Sequence, residues 1–329
     1  METKELNREP TASLPIKILS IAGGILSSLA FIGFLFLAGL YNSDTALLFT
    51  GILLLAAALW INRQHPKIFL DTICVSLYLL GYMLIGIGIG QLLEQESIIG
   101  LVFIVLAVGC LYINQHTVIA LLSVLIIHGS ILFLLQVHYA AALLPVYLSL
   151  LAVLLLFWFL QEAYLVAGGG KLGRLYAPVR TGLALSLLSG LYFSAEKFTA
   201  GSFQQHNWIS SLVIIGCILY LLINLFKALD GALQPRSVKL LVLVGIILLS
   251  TLFAPSITGS LLVILLSFKV NYKTGLVAGI VALVYFISLY YYDLSFTLLT
   301  KSVLMMASGI LLLLLYYFIH KNLLKDETV

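Results

Sequence analysis

Lys301 is the residue whose type and place most invite a chemical role. It stands in the stretch Tyr290-Tyr291-Tyr292-Asp293-Leu294-Ser295-Phe296-Thr297-Leu298-Leu299-Thr300-Lys301-Ser302, roughly two turns into the last apolar run. An ammonium so placed is costly unless it reaches outward to water or meets a partner. Asp293 is the nearest carboxylate in the sequence. Along one helix the two would lie about 12 Å apart, so a direct pair requires Asp293 to fold back in the turn. Tyr291 and Tyr292 add rings with a polar tip, which settle well at a membrane interface. Two readings stand side by side. One is a site for an anion or a partner's carboxylate built on Lys301, Asp293 and the tyrosines. The other is snorkelling with structural pairing.

His128 is the next candidate. It falls in the middle of an apolar run, beside Gly129 and Ser130. An imidazole there needs a partner; a proton relay or substrate contact is one reading, a bond to a neighbouring helix carbonyl the other. The remaining histidines lie at loops or run ends without paired spacing, so no metal site is expected. Cys74, Cys110 and Cys217 lie far apart within apolar runs, which predicts buried, inert thiols. The run Gly168-Gly169-Gly170-Lys171-Leu172-Gly173-Arg174 resembles a phosphate loop only superficially. Gly173 is followed by Arg, and the flanks are apolar runs rather than a strand and a helix. A basic loop touching anionic lipid head groups is the simpler expectation. No hydrolase or protease motif and no carboxylate pair suited to acid–base work is present, so neither an enzyme nor a cofactor is expected.

The elements that must carry these residues are set by composition. Of 329 residues 62% are hydrophobic and 9% are charged, and mean hydropathy is +1.15. A soluble domain carries about 25% charged residues. The apolar excess must therefore face lipid, which makes the bilayer the first partner and gives an all-α, polytopic transmembrane bundle. No polybasic stretch suggests nucleic acid. Apolar runs between polar breaks number twelve, from Ile16–Leu40 to Leu294–Phe318. With the N-terminus inside and all twelve crossing, fifteen of the seventeen basic residues fall on the inner side, leaving Lys197 and Lys301 outside. Both termini are then cytoplasmic: a segment 1–15, a helical domain 16–318 and a tail 319–329. The ninth and tenth runs, joined by Ala254-Pro255-Ser256, are short. If they form a re-entrant hairpin, the count drops to ten with the charge pattern intact. The polar connection Ala167–Arg180 divides the chain into halves at 16–167 and 181–318, without a sequence repeat between them. Gly86 and Gly90 form G-x-x-x-G, which predicts close helix packing.

The segment from Pro255 to Leu315 resembles the C-terminal part of a family of uncharacterised bacterial inner-membrane proteins. That family is a domain of unknown function often found beside small membrane-anchored proteins named for a GDYxxLxY motif. The matching residues are Pro255, Gly259, Leu261-Leu262, Gly275, Tyr291-Tyr292, Leu294, Thr297-Leu298-Leu299, Lys301-Ser302 and Gly309. The resemblance implies a multispanning inner-membrane protein and a membrane-anchored protein partner, and it supplies no activity. Two functions follow: a non-enzymatic component of a membrane complex, or a secondary transporter or flippase-like protein for a lipid-like or weakly polar substrate. A central polar cavity containing His128 or reaching Lys301 would favour transport. A solid bundle with a groove lined by small residues would favour partner binding.

Overall fold

A computed structural model describes residues 23, 26, 30–35, 37–39, 43–64, 68–93, 95–113, 117–138, 141–168, 170–195, 207–230, 235–293, 299, 302–303, 306, 309–310 and 313. Eleven α-helices carry most of them: α1 Asp44–Gln64, α2 Ile68–Leu93, α3 Glu96–Ile113, α4 Thr117–Val137, α5 Leu144–Leu160, α6 Glu162–Ala167, α7 Gly170–Ala195, α8 Asn207–Asp230, α9 Pro235–Leu249, α10 Pro255–Lys269 and α11 Lys273–Asp293. No strand occurs among the described residues. Six helices contain stretches long and apolar enough to cross a bilayer: α1, α2, α3, α4, α8 and α11. The helices α5, α9 and α10 are apolar but shorter. The fold is thus all-α with many apolar helices, as composition requires; twelve crossings are a finer statement than this count.

The helices are apolar all round, and their outer faces stay uncovered. Trp60, Val105, Tyr112, Phe157, Val281 and Tyr292 are exposed large side chains. Such faces are stable against lipid and not against water. Inside lipid each amide must be paired within its own segment, which is why the runs become helices.

The chain forms two compact units, Met1–Tyr139 with Tyr164–Gly182, and Ala140–Ala163 with Leu183–Val329. In the first, Leu55 and Ala58 of α1, Tyr78, Tyr82 and Ile85 of α2, Ala107 and Cys110 of α3 and Ile119 of α4 make one buried core. Backbone meets backbone where α1 packs against α2. A Cβ on Gly51 would lie 2.9 Å from both the Gly81 carbonyl oxygen and the Ile85 nitrogen. One on Gly81 would lie 2.9 Å from the Gly51 carbonyl oxygen. Only hydrogen fits between the two backbones.

The second unit packs around the C-terminal half of α7. A Cβ at Gly190 would meet Leu148 of α5 at 2.7 Å, and one at Gly259 of α10 would strike Leu191. Tyr192 stacks on Tyr285 of α11 with ring centroids 5.9 Å apart, and Ser194 donates to Asn207 of α8 at 3.4 Å. The turn between α10 and α11 is closed by Tyr272 N–H to the Ser267 carbonyl at 2.8 Å. Asn271 sits there at φ 53, a left-handed position that a short polar side chain tolerates.

One segment differs from its expected form. Residues 170–180, expected as part of a polar connection, are the first turns of the 26-residue helix α7. Leu172, Leu175, Tyr176 and Val179 recur at i, i+3, i+4 and i+7, and Tyr176 is buried. The three glycines before Lys171 masked that period, and Gly170 at φ +66 supplies the bend into the helix.

Candidate functional site

The first unit places its polar chemistry on three helices. Tyr78 and Tyr82 are one turn apart on α2, so both rings project from one face. Their centroids are 5.0 Å apart. Tyr78 donates to the Tyr82 hydroxyl oxygen at 3.3 Å, and its own hydroxyl lies 2.8 Å from the Ser123 hydroxyl of α4. Tyr82 donates towards Cys110 Sγ of α3 at 3.9 Å, and Ser123 lies within 2.8 Å of the Ile119 carbonyl oxygen. All four side chains are buried. The protons in this ladder can be placed in two ways. Ser123 can donate to Ile119 and accept from Tyr78, or donate to Tyr78 and let Tyr78 donate to Tyr82. The ladder thus binds three helices through neutral groups and stays satisfied under either arrangement. Interhelical bonds of this kind contribute about 0.6–2 kcal/mol in a membrane. Tyr78→Phe is expected to lower stability by about that amount and to leave the helix content unchanged, which unfolding of the detergent-solubilised protein followed by circular dichroism will read.

Beside the ladder lies a groove of about 300 Å³ between α3 and α4, lined by Ile99, Gly100, Phe103, Ile126, Gly129, Ser130 and Phe133. Phe103 connects the two features. Its ring meets Tyr82 edge to face at 5.1 Å. It also lies over Gly86 of α2, where a Cβ would come within 2.9 Å of its ring tip. Ile99 sits over Gly86 and Gly90 in the same way, 3.7 and 3.4 Å from their would-be Cβ atoms. The glycine pair of α2 therefore seats two of the residues that line the groove. At Gly129 a Cβ would meet nothing within 4 Å, so that edge of the groove is open.

His128 is half-buried on α4 next to Gly129, and it is not among the residues that line the groove. Lys301 lies outside the described residues, and Asp293 is the last residue of α11. Tyr291 is half-buried and Tyr292 exposed, with their rings 5.6 Å apart and nearly perpendicular. Ser302 is exposed and donates to the Leu299 carbonyl at 2.8 Å. The three cysteines are buried and unbridged. No group of three metal-ligating side chains occurs among the described residues. Tyr78, Tyr82, Ser123 and Ser130 are not visible as a set in the sequence. The one local signal is the i, i+4 tyrosine pair inside an apolar run.

Residues 13–322 match a family described as a domain of unknown function (DUF4401). The chain belongs to this family. The match spans the hydroxyl ladder, the groove and the Tyr291–Ser302 stretch, so the whole set lies within the DUF4401 domain. Neither the curated proteins nor the solved structures hold a match to this DUF4401 chain.

Proposed function

We propose that this chain is a non-enzymatic component of a bacterial inner-membrane complex and that the α3–α4 groove receives a helix of a membrane-anchored partner. The groove carries the reading. Its lining is hydrocarbon and glycine with a single serine hydroxyl. In lipid, helices associate where small residues let backbones approach and where a hydroxyl offers a bond. Gly129 and Ser130 supply both features on α4, and Phe103 and Phe133 supply firm walls. His128 does not line the groove, which sets this arrangement apart from a polar transport cavity. The topology that accompanies the proposal has about twelve crossings, both termini in the cytoplasm and the basic connectors on the inner side. Lys301, with Asp293 and the tyrosines, then belongs to the outer end of the last helix.

The test places a photo-crosslinking residue at Ile126 in the full chain, in native membranes. A discrete crosslinked protein carrying one or more membrane spans is expected, and the same probe at exposed Val281 of α11 should not trap it. Crosslinks to lipid alone at Ile126 would overturn the proposal.

A further inference from the structure

Several serine hydroxyls inside these apolar helices give their proton back to their own backbone, the local solution open to a serine in lipid. Ser149 donates to the Pro145 carbonyl at 2.7 Å, Ser210 to Asn207 at 2.9 Å, Ser260 to Ile257 at 2.8 Å and Ser288 to Val284 at 2.9 Å. Ser130 of α4 departs from this habit. It is 6% exposed, and it makes no hydrogen bond among the described residues. The unbonded hydroxyls of Ser186 and Ser211 are sealed inside protein, and that of Ser130 is not. The open space beside it is the α3–α4 groove, whose wall it helps to form. A hydroxyl so placed meets either lipid tails, which offer it no bond, or an occupant that carries a polar group.

The rest of the lining narrows the occupant's chemistry. An apolar cavity of about 150 Å³ walled by aliphatic and phenyl side chains takes one benzene. The groove, at about 300 Å³, takes a substituted ring. Two of its walls are the rings of Phe103 and Phe133. Phe103 is held from behind, edge to face on Tyr82 at 5.1 Å, and Phe133 is 38% exposed. A ring entering there gains offset or edge-to-face contacts that an aliphatic chain does not.

The polar match is one for one. A leucine would fill the space and leave Ser130 unbonded. Asparagine or glutamine would bond Ser130 but bring further amide groups, with no second polar side chain among the lining residues to receive them. Tyrosine and tryptophan each carry a ring and one polar group. They are also the residue types that most often anchor an interface by filling a pocket at its centre.

We propose that the partner helix anchors itself through one tyrosine or tryptophan, its ring seated between Phe103 and Phe133 and its hydroxyl or indole N–H bonded to Ser130. This rests on the reading of the groove as the docking site of a partner helix, and it adds the residue type that the groove selects.

The protein trapped through the photoprobe at Ile126 is identified by mass spectrometry of the crosslinked peptide. Its retention by the full chain without the probe is then read by copurification from membranes, with the unfolding midpoint in parallel. The trapped span is expected to contain a tyrosine or tryptophan. Ser130→Ala should weaken retention about three- to twentyfold, the range of one interhelical hydrogen bond, and leave the midpoint unchanged because Ser130 bonds nothing within the chain. Should Ser130→Ala not fold, Ser130→Cys, with its weakly donating thiol, must show the same loss. Ser288→Ala, on α11, should retain the partner like the parent. Replacing the partner's ring residue by phenylalanine should cost as much as Ser130→Ala and nothing further when the two changes are combined. Parent-level retention by the folded Ser130 variant, a trapped span without either residue type, or additive losses in the combined variant overturns this inference and leaves the groove as a docking site. Crosslinks to lipid alone overturn both.

Discussion

Gly129→Phe is expected to abolish partner capture while leaving the protein folded. Gly129 is a helical residue on the rim of the groove, and added atoms there meet nothing within 4 Å. A benzyl side chain can therefore enter without pushing backbone or core. It would occupy the space that a partner helix needs, between Phe103 on one wall and Phe133 on the other. Losing close approach at the centre of an interface costs well over 1.4 kcal/mol, so retention of the partner should fall more than about tenfold. The measurement is copurification from membranes, with the unfolding midpoint recorded in parallel. Gly109→Phe is the control, because a Cβ there also meets nothing within 4 Å and Gly109 does not line the groove. Parent-level retention by Gly129→Phe would remove the groove from the function.

Gly81→Val should be the most destabilising single change in the first unit. The contact it breaks is between backbones, and backbones within two packed helices have no rotamer with which to yield. A Cβ at Gly81 already comes within 2.9 Å of the Gly51 carbonyl oxygen and 3.1 Å of Leu55. Valine adds two methyl groups to that clash. Overpacking of this kind costs about 1–3 kcal/mol for modest insertions and more where nothing shifts, so a loss of about 3 kcal/mol or more is expected. Gly81→Ala should fall at the low end of the range. Gly86→Ala should cost less than Gly81→Val, since it displaces only the tip of the Phe103 ring. Its distinctive effect is to push that ring towards the groove, so it should impair partner capture at smaller cost to stability. Denaturation in mixed micelles with increasing dodecyl sulfate reads the order. If Gly81→Val and Gly109→Val prove equally stable, the α1–α2 contact is not what holds this unit together.

How much of this was legible beforehand depends on the range of the interaction. The glycine-rich stretch of α2 is visible at once in the sequence, and so is the promise of close approach. Which neighbour each glycine admits is not visible. Gly81 faces α1, while Gly86, five residues on, faces α3. About 140° separates them around the helix axis, and only the placement of α1 and α3 gives that angle a meaning. Tyr78 and Ser123 lie 45 positions apart, and nothing local to either predicts the bond. The start of α7 was obscured for another reason. Three glycines and three cations read as a loop, whereas the segment is helix and its Tyr176 is buried.

Composition alone determined that this chain meets lipid and that its apolar runs are helices. Both follow from terms that act residue by residue, namely the transfer of apolar surface out of water and the need of every amide for a local partner. The groove and the hydroxyl ladder were decided only by the tertiary structure. Each depends on which faces of distant helices touch, and burial energy in lipid is nearly the same for one apolar face as for another. Small residues and hydroxyls break that degeneracy, and they do so only across space.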